Sequence, residues 1–218
     1  MLALKTITDP LTEPVTAAEA KLHTRISYTT EDALINTWIK AGRKLAEDFQ
    51  RRAYIAQQLE LTLDAFPDFP LLLPRAPLMS VSQIRYFDYE DTETVMYSND
   101  TDQSTTTTTM GPTTSTTTTA EPNVITDDGT FIIDTDSEPG RICLAYGETM
   151  PSVVLRPHIS FKIRYWAGYG PVASYVPQTV RDAIMLYVAY RNESRAGEVE
   201  RVPRQFYDLL APERIFTP

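Results

Sequence analysis

Cysteine is almost missing from this sequence: Cys143 is the only one in 218 residues, and His23 and His158 are the only histidines. A single thiol can form no internal disulfide and no thiolate metal cluster within one chain, which suits a protein made in a reducing compartment. No run approaches the roughly 18 to 20 consecutive apolar residues a membrane helix requires. The start, MLALKTITDPLTEP, has no apolar stretch behind a basic segment. Neither a membrane span nor a secretory leader is therefore expected. The motifs G-x-x-x-x-G-K-[ST], G-x-G-x-x-G, H-E-x-x-H and G-x-S-x-G are all missing as well, which removes the common phosphate-binding, dinucleotide-binding, zinc-protease and esterase readings.

Clustered positive charge is also lacking. The net charge is −9, and residues 59–176 hold 6 Lys and Arg against 16 Asp and Glu, whereas residues 1–58 sum to +1 and 177–218 to zero. Tight nucleic-acid binding draws on grouped Lys and Arg that release counterions, so an acidic middle argues against it while leaving room for DNA to pass nearby.

What is present reads as helix, helix, a block of strands, helix, helix. Thr16-Ala17-Ala18-Glu19 is a capping box and opens a short helix to about Arg25. Thr29 or Thr30 caps a longer one, in which Leu34, Ile35, Trp38, Ala41, Leu45 and Phe49 recur every three or four residues and so share a face. From Gln58 the period falls to two: Leu59, Leu61 and Leu63, then Leu71–Leu73, a hairpin of 81–89 with 94–97, and strands near 130–133, 141–146 and 158–166. Pro177 begins a third helix, with Val180, Ala183, Ile184, Tyr187 and Val188 on its apolar side and Gly197 as its stop, and Pro203 to Leu210 forms a fourth. Successive strands without intervening helices make an antiparallel sheet, and the fold class is α+β: a small helical bundle carrying an antiparallel β-rich insertion. The expected division is a helical domain of 1–57 and 171–218 and a β-subdomain of 58–170.

That insertion contains a stretch unlike the rest, TDQSTTTTTMGPTTSTTTTAEP at 101–122. It lies between two strand signals, and neither flank closes a core alone, so it reads as a long loop over 99–124, extended because β-branched threonine disfavours helix. Three readings of it stand: a neutral expansion, inexpensive because doubling a surface loop costs only about 0.6 kcal/mol; an O-glycosylated stalk; or an arm reaching a neighbouring subunit, with Thr105, Thr109, Met110, Thr113 and Thr119 along its length.

Candidate chemistry is thin. Cys143, between Ile142 and Leu144, reads as a buried, unreactive thiol. The acids Asp88, Glu90, Asp91 and Glu93 cluster at a hairpin tip, and Asp127, Asp128, Asp134 and Asp136 flank a strand, but D-Y-E-D-T-E lacks the glycine and final glutamate of a calcium loop. Solvated turn acids are the simpler reading, and no catalytic, cofactor or metal site is assigned. Aromatics are more informative: Tyr165, Trp166, Tyr169 and Tyr175 are close in sequence, and Tyr187, Tyr190, Phe206, Tyr207 and Phe216 follow, a supply that suits contact surfaces.

In order along the chain, Pro14-Val15-Thr16-Ala17-Ala18-Glu19-Ala20-Lys21, Glu31-Asp32-Ala33-Leu34-Ile35, Leu61-Thr62-Leu63-Asp64-Ala65-Phe66-Pro67, Leu73-Pro74-Arg75-Ala76-Pro77-Leu78, Ile84-Arg85-Tyr86-Phe87-Asp88, Glu138-Pro139-Gly140-Arg141-Ile142, Ala167-Gly168-Tyr169-Gly170, Val176-Pro177 and Leu209-Leu210-Ala211-Pro212-Glu213-Arg214 resemble the head-tail connector, or adaptor, proteins of tailed phages and related gene-transfer particles. The resemblance spans nearly the whole chain; the threonine tract departs from it, since members usually join those strands by a short connection. It implies a virion protein, made in the host cytoplasm, that forms a homo-oligomeric ring, commonly of twelve copies, beneath the portal protein. The ring would bridge portal to a head-closure or tail (nozzle or terminator) protein and leave a channel through which genomic DNA passes without specific binding. Leu34, Trp38, Leu45, Phe49, Ile184 and Tyr187 would form the core or inter-subunit helix face. The tail from Val202 onward, with Phe206, Tyr207, Leu209, Leu210, Pro212, Arg214 and Phe216, would dock on the portal, being too short to bury its own apolar side chains, so deleting 203–218 is expected to leave a folded protein. Other classes remain in view: a β-rich glycan- or receptor-binding module using the Tyr and Trp cluster, and a metal-dependent hydrolase using Asp134 and Asp136.

Overall fold

The computed structural model describes residues 2–99, 129–194 and 202–216; the threonine tract, including Thr105 to Thr119, and Gly197 lie outside them. Helix α1, Ala17–Thr24, opens on the expected capping box, with the Thr16 hydroxyl accepting from the Glu19 amide at 3.2 Å and the Glu19 carboxylate from the Thr16 amide at 2.8 Å. Helix α2, Asp32–Gln50, starts differently from expectation. Neither Thr29 nor Thr30 caps it; Glu31 is the N-cap and makes no side-chain cap bond, and Asp32 instead pairs with Lys21 at 2.8 Å, tying α2 to α1. Helices α3, Gln178–Glu193, and α4, Arg204–Leu210, follow the strand block, with Pro177 and Pro203 as their N-caps.

The strands divide into two antiparallel sheets. One has the order β1 (Leu2–Thr8), β2 (Gln57–Leu63), β8 (Phe161–Ala167), β4 (Leu78–Phe87) and β5 (Glu93–Ser98). The other has the order β3 (Leu71–Leu72), β7 (Arg141–Leu144) and β6 (Phe131–Asp134). Strand β1 has no counterpart in the sequence reading: residues 2–8 pair with β2, so the first strand belongs to the sheet and not to the helices. Strands β5 and β6, which flank the threonine tract, do not complete a hairpin with each other, because each forms an edge of a different sheet.

Alternation along the strands sets up the β core. Leu59, Leu61, Phe161, Ile163, Tyr165, Val81 and Ile84 face inward and meet Ile142 and Phe131 of the smaller sheet and Leu73, which directly follows β3. A second core joins the helices: Ile35, Trp38, Ile39 and Ala46 of α2, Val180, Ala183, Ile184 and Val188 of α3, Ala20 of α1, and Phe206 and Leu210 of α4. Gly42 of α2 leaves room for α3 to pack against it: a β-carbon there would fall 2.9 Å from the Tyr187 ring.

Where the two cores meet, charge is buried. Arg43, 2% exposed, donates to Glu13 at 2.6 Å and to Glu47 at 2.9 Å. Glu47 also accepts from the Tyr54 amide and the Gln57 side chain, so one carboxylate links α2 to the strand that follows it. Burial holds Glu47 above the ordinary glutamate range despite the opposing Arg43 charge and the Tyr54 amide.

Candidate assembly surface

The tail of the chain departs most from the sequence reading. Phe206 and Leu210 are 0% exposed and belong to the helical core, so they are not free anchors for a partner. Phe206 lies 5.9 Å from the Tyr187 ring and 5.2 Å from Tyr207, which in turn meets Phe49 edge-on at 5.0 Å. Beyond α4 the chain turns back along the end of α2. A helix leaves its last carbonyls without partners, and here Gln50 O accepts from the Ile215 amide at 3.0 Å while the Gln50 side chain donates to Leu210 O at 2.7 Å. Arg52 Nε donates to Glu213 O at 2.7 Å, and its Nη2 reaches Glu138 at the same distance. The expectation that 203–218 can be removed from an intact fold is thereby corrected: removal would take two fully buried side chains out of the core.

Other side chains of this tail remain available. Leu209 is 39% exposed and Phe216 78% exposed, Pro212 is exposed, and the Arg214 guanidinium sits 4.7 Å from the Phe49 ring centre and 5.0 Å from that of Phe216. The segment is thus held by its buried half and presents its other half. Of the expected helix face, Trp38 and Ile184 are buried and Leu45, Phe49 and Tyr187 pack against the same core, whereas Leu34 is 41% exposed and faces away from it.

The acidic clusters turn out to hold turns. Asp88 accepts from the Glu90 and Thr92 amides, both at 2.9 Å, and so closes the β4–β5 turn. Asp134 accepts from the Ser137 hydroxyl, Arg141 and the Ser137 and Asp136 amides, and these bonds lower its pKa to about 2. Asp127 and Asp128 lie outside the described residues. Among the described residues no group of three or more His, Cys, Asp or Glu could hold a metal ion. Cys143 is half-buried, not enclosed as the sequence suggested. Tyr165 is fully buried and donates to Pro74 O at 2.7 Å, so the Tyr and Trp cluster does not form one open ligand surface; Tyr175 is its exposed member.

At the far end of the β4–β5 hairpin, Tyr89, Val153, Val154 and Ile159 are exposed around Arg156, whose guanidinium lies 3.9 Å over the Phe87 ring. Ile159 has φ +56, a left-handed value that is rare for a β-branched residue. Asp64 accepts its amide at 3.0 Å and Arg156 donates to its carbonyl, which fixes this conformation.

Among the described residues no helix is long and apolar enough to cross a membrane. No family model matches the chain, and no curated protein matches it. Solved structures do. The chain is similar, at 19% identity and a TM-score of 0.71, to a chain in the virion of a native gene transfer agent (GTA) particle, with 99% of this chain and 96% of that one covered. It is equally similar to chains in the neck of the empty GTA particle computed with C6 symmetry and in the neck of the native particle computed with C12 symmetry, each covered over 97%. At that identity the likeness is one of fold, and it extends across both sheets and all four helices.

Proposed function

We propose that this protein is a structural, non-enzymatic component of the neck of a phage-like particle. It is one copy of a homo-oligomeric ring that sits beneath the portal as an adaptor, bridges it to the next head-closure or tail component and leaves a channel for DNA. The observation that carries this reading is the fold match over 99% of the chain to proteins of a particle neck computed with C6 and C12 symmetry. The surface fits the same role: Leu209, Pro212, Arg214 and Phe216 are offered on a tail clamped to the end of α2, so a partner meets a preordered strip. Pre-ordering lowers the entropy lost on binding. Leu34 at the start of α2, 41% exposed, is left for a neighbouring copy.

The test is reconstitution. DNA-filled heads that carry portal but lack this protein are mixed with the wild type or with Leu209→Glu/Phe216→Glu. The wild type is expected to bind the heads, and the variant to remain folded yet fail to bind. Wild-type binding by the variant would exclude the tail as the docking strip, and failure of the wild type to bind would exclude the adaptor role.

A further inference from the structure

The acidic middle of the chain is not acidic in every direction. The inward face of the five-stranded sheet is apolar, and the strand registers put a single row of residues across its outward face: Lys5 on β1, Glu60 on β2, Arg164 on β8, Gln83 on β4 and Ser98 on β5. The adjacent row holds Lys162 opposite Arg85. Glu60 sits among these cations, accepting from Arg85 at 2.9 Å and Arg164 at 3.0 Å with Lys162 at 3.5 Å. One carboxylate pairs with three cations, and Lys5 is its register partner on β1. Glu93 offsets a second charge at the β5 edge, 2.8 Å from Arg85. With Lys5, Arg85, Lys162 and Arg164 against Glu60 and Glu93, the face keeps a surplus of two positive charges in a chain whose net charge is −9.

We infer that this face contacts the phosphate backbone of double-stranded DNA, without reading its sequence. Strands lie about 4.8 Å apart and alternate residues about 6.7 Å apart, so Lys5, Arg164, Lys162 and Arg85 form a flat grid of cations instead of a pocket for one small anion. A protein partner is less well matched. Protein interfaces bury an apolar centre, whereas here Thr62, Gln83, Lys162 and Arg164 occupy the middle, the half-buried Trp166 and Phe87 lie at the strand ends and the exposed Val95 lies at an edge. Phosphate contacts are polar, need no apolar centre and carry no sequence information. The inference goes beyond the adaptor reading: it gives the ring a weakly adhesive DNA-facing surface in place of the uniformly repelling one that the net charge suggests.

The test is anisotropy of a labelled duplex of arbitrary sequence titrated with the full chain over a range of salt, with sedimentation of the same samples. Each neutralised phosphate contributes about −0.9 to the slope of log K against log salt, so a surplus of two charges predicts roughly −1.8 per copy. Lys5→Gln/Lys162→Gln removes that surplus, so it should bring the slope to about zero and weaken low-salt binding by about fivefold or more. Lys40→Gln/Lys44→Gln, the same charge loss on the exposed side of α2, should change it by less than about twofold. No duplex binding at low salt would overturn the inference, as would equal losses in both variants. A sheet variant that alters the oligomer while leaving DNA affinity intact would also overturn it, assigning the face to contacts between copies. Sedimentation reads the ring separately, so a protein that binds duplex but stays monomeric refutes the adaptor reading alone.

Discussion

Replacing Phe206 with alanine separates a structural tail from a free latch. The side chain is 0% exposed and packs between Tyr187 and Tyr207 in the helical core. Truncating a fully buried phenylalanine removes its transfer free energy and leaves a cavity, at a cost of roughly 3 to 5 kcal/mol. For a chain of this length each kcal/mol moves the midpoint by about 2 to 4 °C, so a fall of roughly 6 to 20 °C is expected in a thermal melt. Phe216→Ala is the internal control: at 78% exposure, with the Arg214 guanidinium 5.0 Å from its ring centre, it should cost less than about 0.5 kcal/mol. The same pair read for head binding should reverse, with Phe216→Ala impaired while fully folded. A Phe206→Ala protein that melts within about 1 °C of the wild type would refute the packing described for α4 and restore the latch.

Arg43→Ala leaves Glu47 buried with its cation gone and should destabilise by about 3 to 5 kcal/mol in urea titration; a loss under 1 kcal/mol would mean that the charge cluster does not join α2 to the sheet. Gly168→Ala forces a side chain onto φ +138 with its β-carbon 2.7 Å from the Ile55 carbonyl carbon and should cost about 1 to 3 kcal/mol, more than Gly147→Ala, which carries backbone strain at φ +87 but meets nothing within 4 Å. Glu60 titrates below the ordinary glutamate range: burial pushes its pKa up, but the Arg164 hydrogen bond and the Lys162 and Arg85 charges outweigh it. A depressed acid contributes stability that is complete above about pH 4.3 and is lost as pH falls through the folded value. Melting of Glu60→Gln between pH 7 and pH 3 should therefore show a shallower acid limb than the wild type, and an identical limb would contradict this role.

Periodicity and caps made most of the framework readable. The Thr16 and Glu19 capping box, the α2 stripe through Trp38 and Phe49, and the alternation of Phe161 to Tyr165 are local signals, and each element forms where its residues indicate. What was missed depends on partners distant in sequence. Strand β1 has exposed Ala3, Lys5 and Thr6 and becomes a strand only by pairing with β2, more than 50 residues away. Burial of Phe206 and Leu210 could not be anticipated from a segment too short to cover itself; α2, whose Gln50 meets Leu210 across 160 residues, covers it. The assignment of Arg43 to a buried site needed Glu13, 30 residues earlier, and the division into two sheets separated β5 from β6. For the surface, exposed Leu209 and Phe216 were legible as unburied apolar residues, whereas the cation grid was hidden because Lys5, Arg85, Lys162 and Arg164 come from three separate stretches and meet only through strand register.

Electron microscopy of the purified full chain, alone and mixed with portal, tests the central claim most directly. The account predicts closed rings of uniform subunit number that stack coaxially on the portal around an open channel. Isolated single copies at all concentrations, with no density added beneath the portal, would contradict it.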